Sequence, residues 1–243
     1  MNTDLATVIA EISKLPADWH AAGSVSPAVL NGIVRHAAQI GTIQNSAETG
    51  SGKTTLLFSH LSLSHLVFAV DAGNGSVTQV KASPLFNHQA VTFVEGPTQL
   101  TLPHHTFAQP LQIVLLDGPH GYPFPDLEYY YFYPAIQPGG LLLVDDIQIP
   151  SIGRMFDIIK AGDMFRLAEV IDNTAFLQRT DAPLIIPTSD SWWLQNYNRA
   201  YYEEMIAPKK GSLEDESAGT PGPVRREERV PHVRPWWKVF WTR

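Results

Sequence analysis

Five short apolar runs, each separated from the next by a helical or loop segment, constrain the fold of this 243-residue chain more than any other feature. They fall at residues 41–47, 65–70 (HLVFAV), 90–94 (AVTFV), 112–116 (QIVLL) and 141–144 (LLLV). Strands that are continuously apolar, rather than alternating, are those buried on both faces, with the intervening helices as cover. The pattern predicts a doubly wound α/β domain around a parallel sheet. Helices are expected at 26–39, with Pro27 at the first position, and at 54–63, 127–136 and 152–161. Two extended runs, 165–171 and 175–179, meet at Asp172-Asn173-Thr174 and read as a hairpin. The expectation is a mostly parallel seven-stranded sheet closed by a C-terminal antiparallel hairpin.

Four segments follow from this pattern: a helical extension (1–40), the main domain (41–182), a helical segment (183–206) and a linker with a basic, Trp-rich tail (207–243). The third segment carries Trp192, Trp193, Leu194, Tyr197, Tyr201 and Tyr202 at helical spacing over 189–205. Residues 209–223 are too polar to pack, whereas 235–243 (PWWKVFWTR) read as an element that docks on its own domain or on a second copy. With 44% hydrophobic residues the chain can bury one sizeable core. There is no Cys, which excludes disulfides, thiolate zinc sites and cysteine nucleophiles. No apolar run approaches the roughly 20 residues that span a bilayer, so no transmembrane segment is expected. The opening MNTDLATVIAEISKL reads as an amphipathic helix rather than a signal peptide, and a cytoplasmic location is expected. The net charge of −7 is uneven. Residues 207–243 hold eight Lys/Arg against five Asp/Glu, leaving nine against nineteen elsewhere. An acidic body argues against a nucleic-acid partner, which needs phosphate neutralisation.

After the first run comes Ala47-Glu48-Thr49-Gly50-Ser51-Gly52-Lys53-Thr54-Thr55. As A-x-x-x-x-G-K-T it is a relaxed triphosphate loop, with Ala47 where the stricter pattern has Gly, Lys53 for phosphates and Thr54 for magnesium. As E-T-G-S-G it resembles the first motif of the class I S-adenosylmethionine (SAM)-dependent methyltransferases. Both sites place glycines between a strand and a helix so that a ligand can approach the main chain. The turn alone does not choose between them.

Outside the turn, the resemblance to these methyltransferases extends over about residues 41–179. Asp71 ends the second run 21 residues beyond Gly50, close to the separation of about 20 expected of an acid that accepts ribose hydroxyls. Glu95-Gly96 follow the third run, in the region that borders adenine, with Pro97 where a polar residue is often found. PAIQPGG (134–140) runs into LLLVDD and reads as a helix ending in Pro-Gly-Gly before the fifth strand. That feature and the closing hairpin are ones a P-loop enzyme does not require. The resemblance implies a Rossmann-like domain that binds SAM through Glu48, Thr49, Gly50, Ser51, Gly52, Asp71, Glu95, Gly96 and Asp117. Lys53 is then expected to face solvent.

Asp117 ends the fourth run in Leu-Leu-Asp-Gly-Pro-His120, and Asp145-Asp146 end the fifth. Adjacent parallel strands bring such ends within roughly 5 Å, where three carboxylates repel unless a hard cation joins them. This arrangement is similar to that of metal-dependent O-methyltransferases with Asp-Gly-x-His after strand four. It implies Mg2+ or another divalent cation on Asp117, Asp145 and Asp146, with Asp117 and His120 as catalytic residues and His120 as the base for an acceptor hydroxyl. A small-molecule acceptor is expected. The N-terminal helices and the C-terminal aromatic segment are where acceptor and homodimer contacts are expected. The alternatives are a P-loop NTPase or kinase and a non-catalytic partner protein on the same scaffold.

Overall fold

The structure, a computed structural model, describes residues 4–16, 18–19, 25–71, 75–185 and 192–206. Seven strands form one sheet in the order β3-β2-β1-β4-β5-β7-β6. They are β1 (Ile43–Thr49), β2 (Ser62–Ala69), β3 (Val91–Glu95), β4 (Leu111–Leu116), β5 (Ile136–Val144), β6 (Phe165–Ile171) and β7 (Thr174–Arg179). The first five run parallel, and β7 pairs antiparallel with both β5 and β6. The doubly wound sheet with its closing hairpin is therefore the one expected.

Eight helices connect and cover the sheet among the described residues: α1 (Leu5–Ser13), α2 (Pro27–Ile40), α3 (Lys53–Leu61), α4 (Ser76–Ala82), α5 (Thr98–Thr101), α6 (Phe124–Phe132), α7 (Pro150–Ala161) and α8 (Asn196–Tyr201). Ser26 caps α2 by accepting from the Val29 N–H at 3.3 Å, with Pro27 filling the first position, where no N–H is needed. Neighbouring residues of β4 point to opposite faces. Ile113 and Leu115 pack with α1, α2 and α3 on one side, and Val114 and Leu116 with α6 and α7 on the other. Ile12 of α1 and Ile33 of α2 are fully buried in the first of these layers, so both N-terminal helices contribute to the core of the sheet. Full burial of each such side chain contributes about 1.5–3 kcal/mol.

Several expectations need correction. Pro138, Gly139 and Gly140 do not separate a helix from the fifth strand; they lie inside β5. Pairing jumps from Leu111–Ile136 to Ile113–Leu141, a bulge that takes up the extra residues. Gly139 supplies a φ of +79° there, and a Cβ on Gly140 would crowd the Gln137 and Gln112 carbonyl oxygens at 2.9 and 3.0 Å. The preceding helix begins at Phe124 and ends at Phe132, followed by a 3-10 turn at Tyr133–Ala135. Helix α3 stops at Leu61, and β2 starts at the next residue, earlier than its apolar run suggested. The single helix expected over 189–205 is broken. Trp192–Leu194 form a 3-10 turn, α8 follows, and Tyr202–Ile206 is a π-helical turn. The linker and Trp-rich tail lie outside the described residues. No helix among the described residues is long and apolar enough to cross a membrane.

Candidate functional site

At the carboxyl end of β1 the chain turns sharply. Gly50 adopts a φ of +83° and donates to the Phe68 carbonyl at 3.0 Å. A Cβ at that position would collide with the Asp117 carbonyl oxygen, so the turn and the end of β4 touch through main chain that only glycine permits. Gly52 then opens α3, its N–H donating to Thr55 Oγ1 at 3.0 Å. Thr55 in turn donates to the Glu48 carboxylate.

Glu48 is fully buried. Its Oε1 lies 3.2 Å from His65 Nε2, while His65 Nδ1 meets Ser46 Oγ at 2.7 Å and Ser46 meets Ser62 Oγ at 2.6 Å. His65 also stacks on Phe58 with ring centres 4.6 Å apart. Glu48 thus braces the turn from behind and is not among the cleft-lining residues. Thr49 joins the turn to β4: its hydroxyl accepts from the Asp117 N–H at 3.0 Å and donates to Glu128 at 2.8 Å.

The acids gather where β4 and β5 end. Leu116 pairs with Val144, and the Asp145 N–H donates to the Leu116 carbonyl at 3.1 Å, which sets Asp117 beside Asp145. Asp146 has a left-handed φ of 56°, and its Oδ2 lies 3.3 Å from His120 Nε2. His120 Nε2 is 3.8 Å from Asp117 Oδ1. One ligand atom from each of Asp117, His120 and Asp146 lies within 4.8 Å of the other two. Asp145, expected with them, accepts instead from the Thr174 hydroxyl. Burial, reinforced by Asp145 and Glu48, raises the Asp117 carboxyl to about 7 despite the opposing influence of His120. Asp145 is raised by burial as well. The Asp117 carboxylate, followed by its acidic neighbours, holds the His120 imidazolium above its ordinary range.

Turn and acids share one cleft of about 550 Å³, within the range of small-molecule sites. Gly50, Ser51, Gly52, Asp117, His120, Asp145 and Asp146 all line it. Asp71, Glu95 and Gly96 do not. Both Asp71 oxygens accept from the start of α4: Oδ1 from the Val77 and Thr78 N–H groups at 2.9 and 3.3 Å, Oδ2 from the Thr78 hydroxyl. The Thr78 hydroxyl is the main cause of its lowered pKa. Glu95 pairs with Lys81. Pro97, Thr98 and Gln99 line the cleft instead.

Two residues escaped the sequence reading. Lys53 does not face solvent: it is 8% exposed, lines the cleft and donates from Nζ to the Leu15 carbonyl at 3.1 Å. Glu128 of α6 is buried against Gly118, and burial raises its carboxyl to about 7. A lone acid in the aromatic stretch LEYYYFY gives no sign of that in the sequence, since its partner Thr49 lies 79 residues away.

A doubly wound sheet with an antiparallel closing strand, and a cleft at the carboxyl ends of its central strands, defines a Rossmann-like ligand-binding protein. Residues 47–147 match the model of a family described as a methyltransferase domain. Solved methyltransferases share the fold. PaMTH1 of Podospora anserina, bound to S-adenosylhomocysteine (SAH), aligns with a TM-score of 0.53 at 13% identity, covering 73% of this chain and 88% of that one. The O-methyltransferase TomG of Streptomyces achromogenes, in complex with SAM, gives 0.52 at 13% identity, covering 71% and 89%. MycE, from the mycinamycin pathway and in complex with Mg and SAH, gives 0.50 at 14% identity, covering 77% and 58%. No curated protein matches the chain by sequence.

Proposed function

We propose that this chain transfers a methyl group from SAM to a hydroxyl of a small molecule, with a divalent cation bound at the β4/β5 rim. The observation that carries this is the meeting, in one cleft, of the Gly50–Gly52 turn and the Asp117, His120 and Asp146 cluster. The turn offers main-chain N–H groups at the start of α3, suited to the carboxylate end of an amino acid. SAM supplies an electrophilic methyl group; the O-methyltransferase TomG, which shares the fold, was solved with SAM, and the methyltransferase MycE with Mg and SAH.

Two carboxylates and an imidazole within 4.8 Å of one another form a donor set that fits a divalent cation. Such a cation would lower the pKa of a hydroxyl bound to it. Asp117 and Asp146 are its proposed holders, and Asp145, tied to Thr174, stiffens the rim beside them. His120, exposed enough to meet an acceptor, takes the hydroxyl proton at Nε2 and returns it to solvent. The mutual spacing of the three groups also favours His120 as a third ligand. His120→Gln separates the two roles: a base leaves Mn2+ affinity within about twofold, whereas a ligand loses it at least tenfold.

Calorimetry with SAH and ATP, each with and without Mg2+, tests the reading. One SAH per chain and no ATP is the expected result. ATP binding without SAH binding would overturn it in favour of a triphosphate site.

A further inference from the structure

The cleft is electrically lopsided. Asp117, Asp145 and Asp146 stand at the ends of β4 and β5, while the first turn of α3 contributes Lys53. Lys53 is more than nine-tenths buried. Among the described residues its Nζ has one hydrogen-bond partner, the neutral Leu15 carbonyl, and no ion-pair partner. An ammonium carries three donors and is costly to bury unless an anion joins it. Lys53 sits beside Gly52, next to the glycines that line the cleft.

We propose that Lys53 is the cofactor-carboxylate residue of this site: its ammonium pairs with the α-carboxylate of the methyl donor's amino-acid end and so fixes which way round the donor lies. This rests on the methyl-donor reading of the cleft. The donor is itself polar, with an anionic carboxylate at one end and a cationic sulfonium further along. Lys53 attracts the first, and the Asp117 side of the cleft attracts the second. Both ends of the cleft therefore favour the orientation that points the reactive methyl group toward His120 and Asp146. The Leu15 carbonyl, just beyond α1, takes one of the three Lys53 donors and aims the rest of the ammonium. It also makes the N-terminal helix part of the cofactor site. On this account the Gly-Lys-Thr of the turn is not a relic of a phosphate loop. The lysine binds an anion, but a carboxylate.

The test compares two ligands that differ only in that carboxylate: SAM, and SAM lacking its carboxyl group (decarboxylated SAM). Each is titrated calorimetrically into wild-type protein, Lys53→Met and Lys53→Gln, with circular dichroism as a folding check. Gln keeps a donor for Leu15 without the charge, so it stands in if Met at this buried position prevents folding. The expected result is a loss of SAM affinity of about tenfold to a hundredfold, the range of a hydrogen bond to a charged group. Decarboxylated SAM should stay within about twofold of wild type. Equal losses for both ligands would show that Lys53 only holds the Leu15 segment, and no loss for either would show that it does not touch the donor; both results overturn the proposal. If wild type binds neither ligand, the methyl-donor reading fails first. An ATP titration completes the set: tight ATP binding that collapses in Lys53→Met would replace the carboxylate with a phosphate.

Discussion

Two stretches line the same cleft and satisfy their polar groups in opposite ways. Behind the Gly50–Gly52 turn, Glu48 is fully buried yet finds Thr55 and His65, and His65 continues to Ser46 and Ser62. That network braces the turn from within the protein, with Glu48 Oε1 engaged and Glu48 Oε2 and the Ser51 hydroxyl of the turn left without a hydrogen-bond partner among the described residues. At the β4/β5 rim, Asp117, Asp145 and Asp146 crowd one another, and burial pushes Asp117 up to about 7. Among the described residues the cationic group paired with them is His120, 3.8 Å from Asp117 and 3.3 Å from Asp146. The first stretch is held mainly by hydrogen bonds made on folding, and the second is where the proposed cation would bind. On the proposed reading the turn is a preformed cradle for the cofactor and the rim is the reactive edge.

Removing Glu48 should have the largest effect on stability. Glu48→Ala leaves His65 and Thr55 without their buried partner and should cost about 3–5 kcal/mol, read by denaturant unfolding. Glu48→Gln should cost less. A loss under about 1 kcal/mol for the alanine variant would mean that the network is not the brace described. At the rim the contrast should reverse. Asp146→Asn should reduce Mn2+ affinity more than about a hundredfold, by spectroscopic titration, while changing stability little. Equal Mn2+ affinity would remove the metal from the account.

The two halves should also answer pH differently. Asp117 and Glu128 have folded-state pKa values raised to about 7. The native state therefore holds more protons than the unfolded chain between roughly pH 4 and 7, so stability should fall as pH rises through that window. The fall should be about 1–3 kcal/mol between pH 5 and 8, after allowance for solvent screening at Asp117. Mg2+ should reduce it, because the cation stabilises ionised Asp117. A metal-independent or opposite slope would contradict the electrostatic description. The smallest expected effect is at Thr174→Val, which frees Asp145 Oδ1 and should cost about 1 kcal/mol by thermal unfolding.

The sheet was legible because its strands are buried on both faces and so appear as unbroken apolar runs. The hairpin at Asp172 was equally plain. Boundaries governed by main-chain geometry were not. The Pro138-Gly139-Gly140 bulge looks like a helix stop in sequence, since glycine and proline serve both ends. The site was half visible. Gly50, Asp117, His120 and Asp146 follow from strand ends, which topology places together. The burial of Lys53 depends on α1, 38 residues away, and the burial of Glu128 depends on Thr49, 79 residues away. Asp71 stands at the expected spacing and already accepts three hydrogen bonds from the start of α4. A strand-end position says where an acid is, but not which neighbours its oxygens already serve.

On the proposed reading a methyl donor and a divalent cation occupy neighbouring parts of one cleft. Nuclear magnetic relaxation of SAM protons with Mn2+ bound to the protein tests it directly. The S-methyl protons of bound SAM should relax markedly faster with Mn2+, more than the adenine protons do, and the enhancement should vanish in Asp146→Asn. Bound SAM whose methyl relaxation does not respond to Mn2+ would contradict the shared cleft.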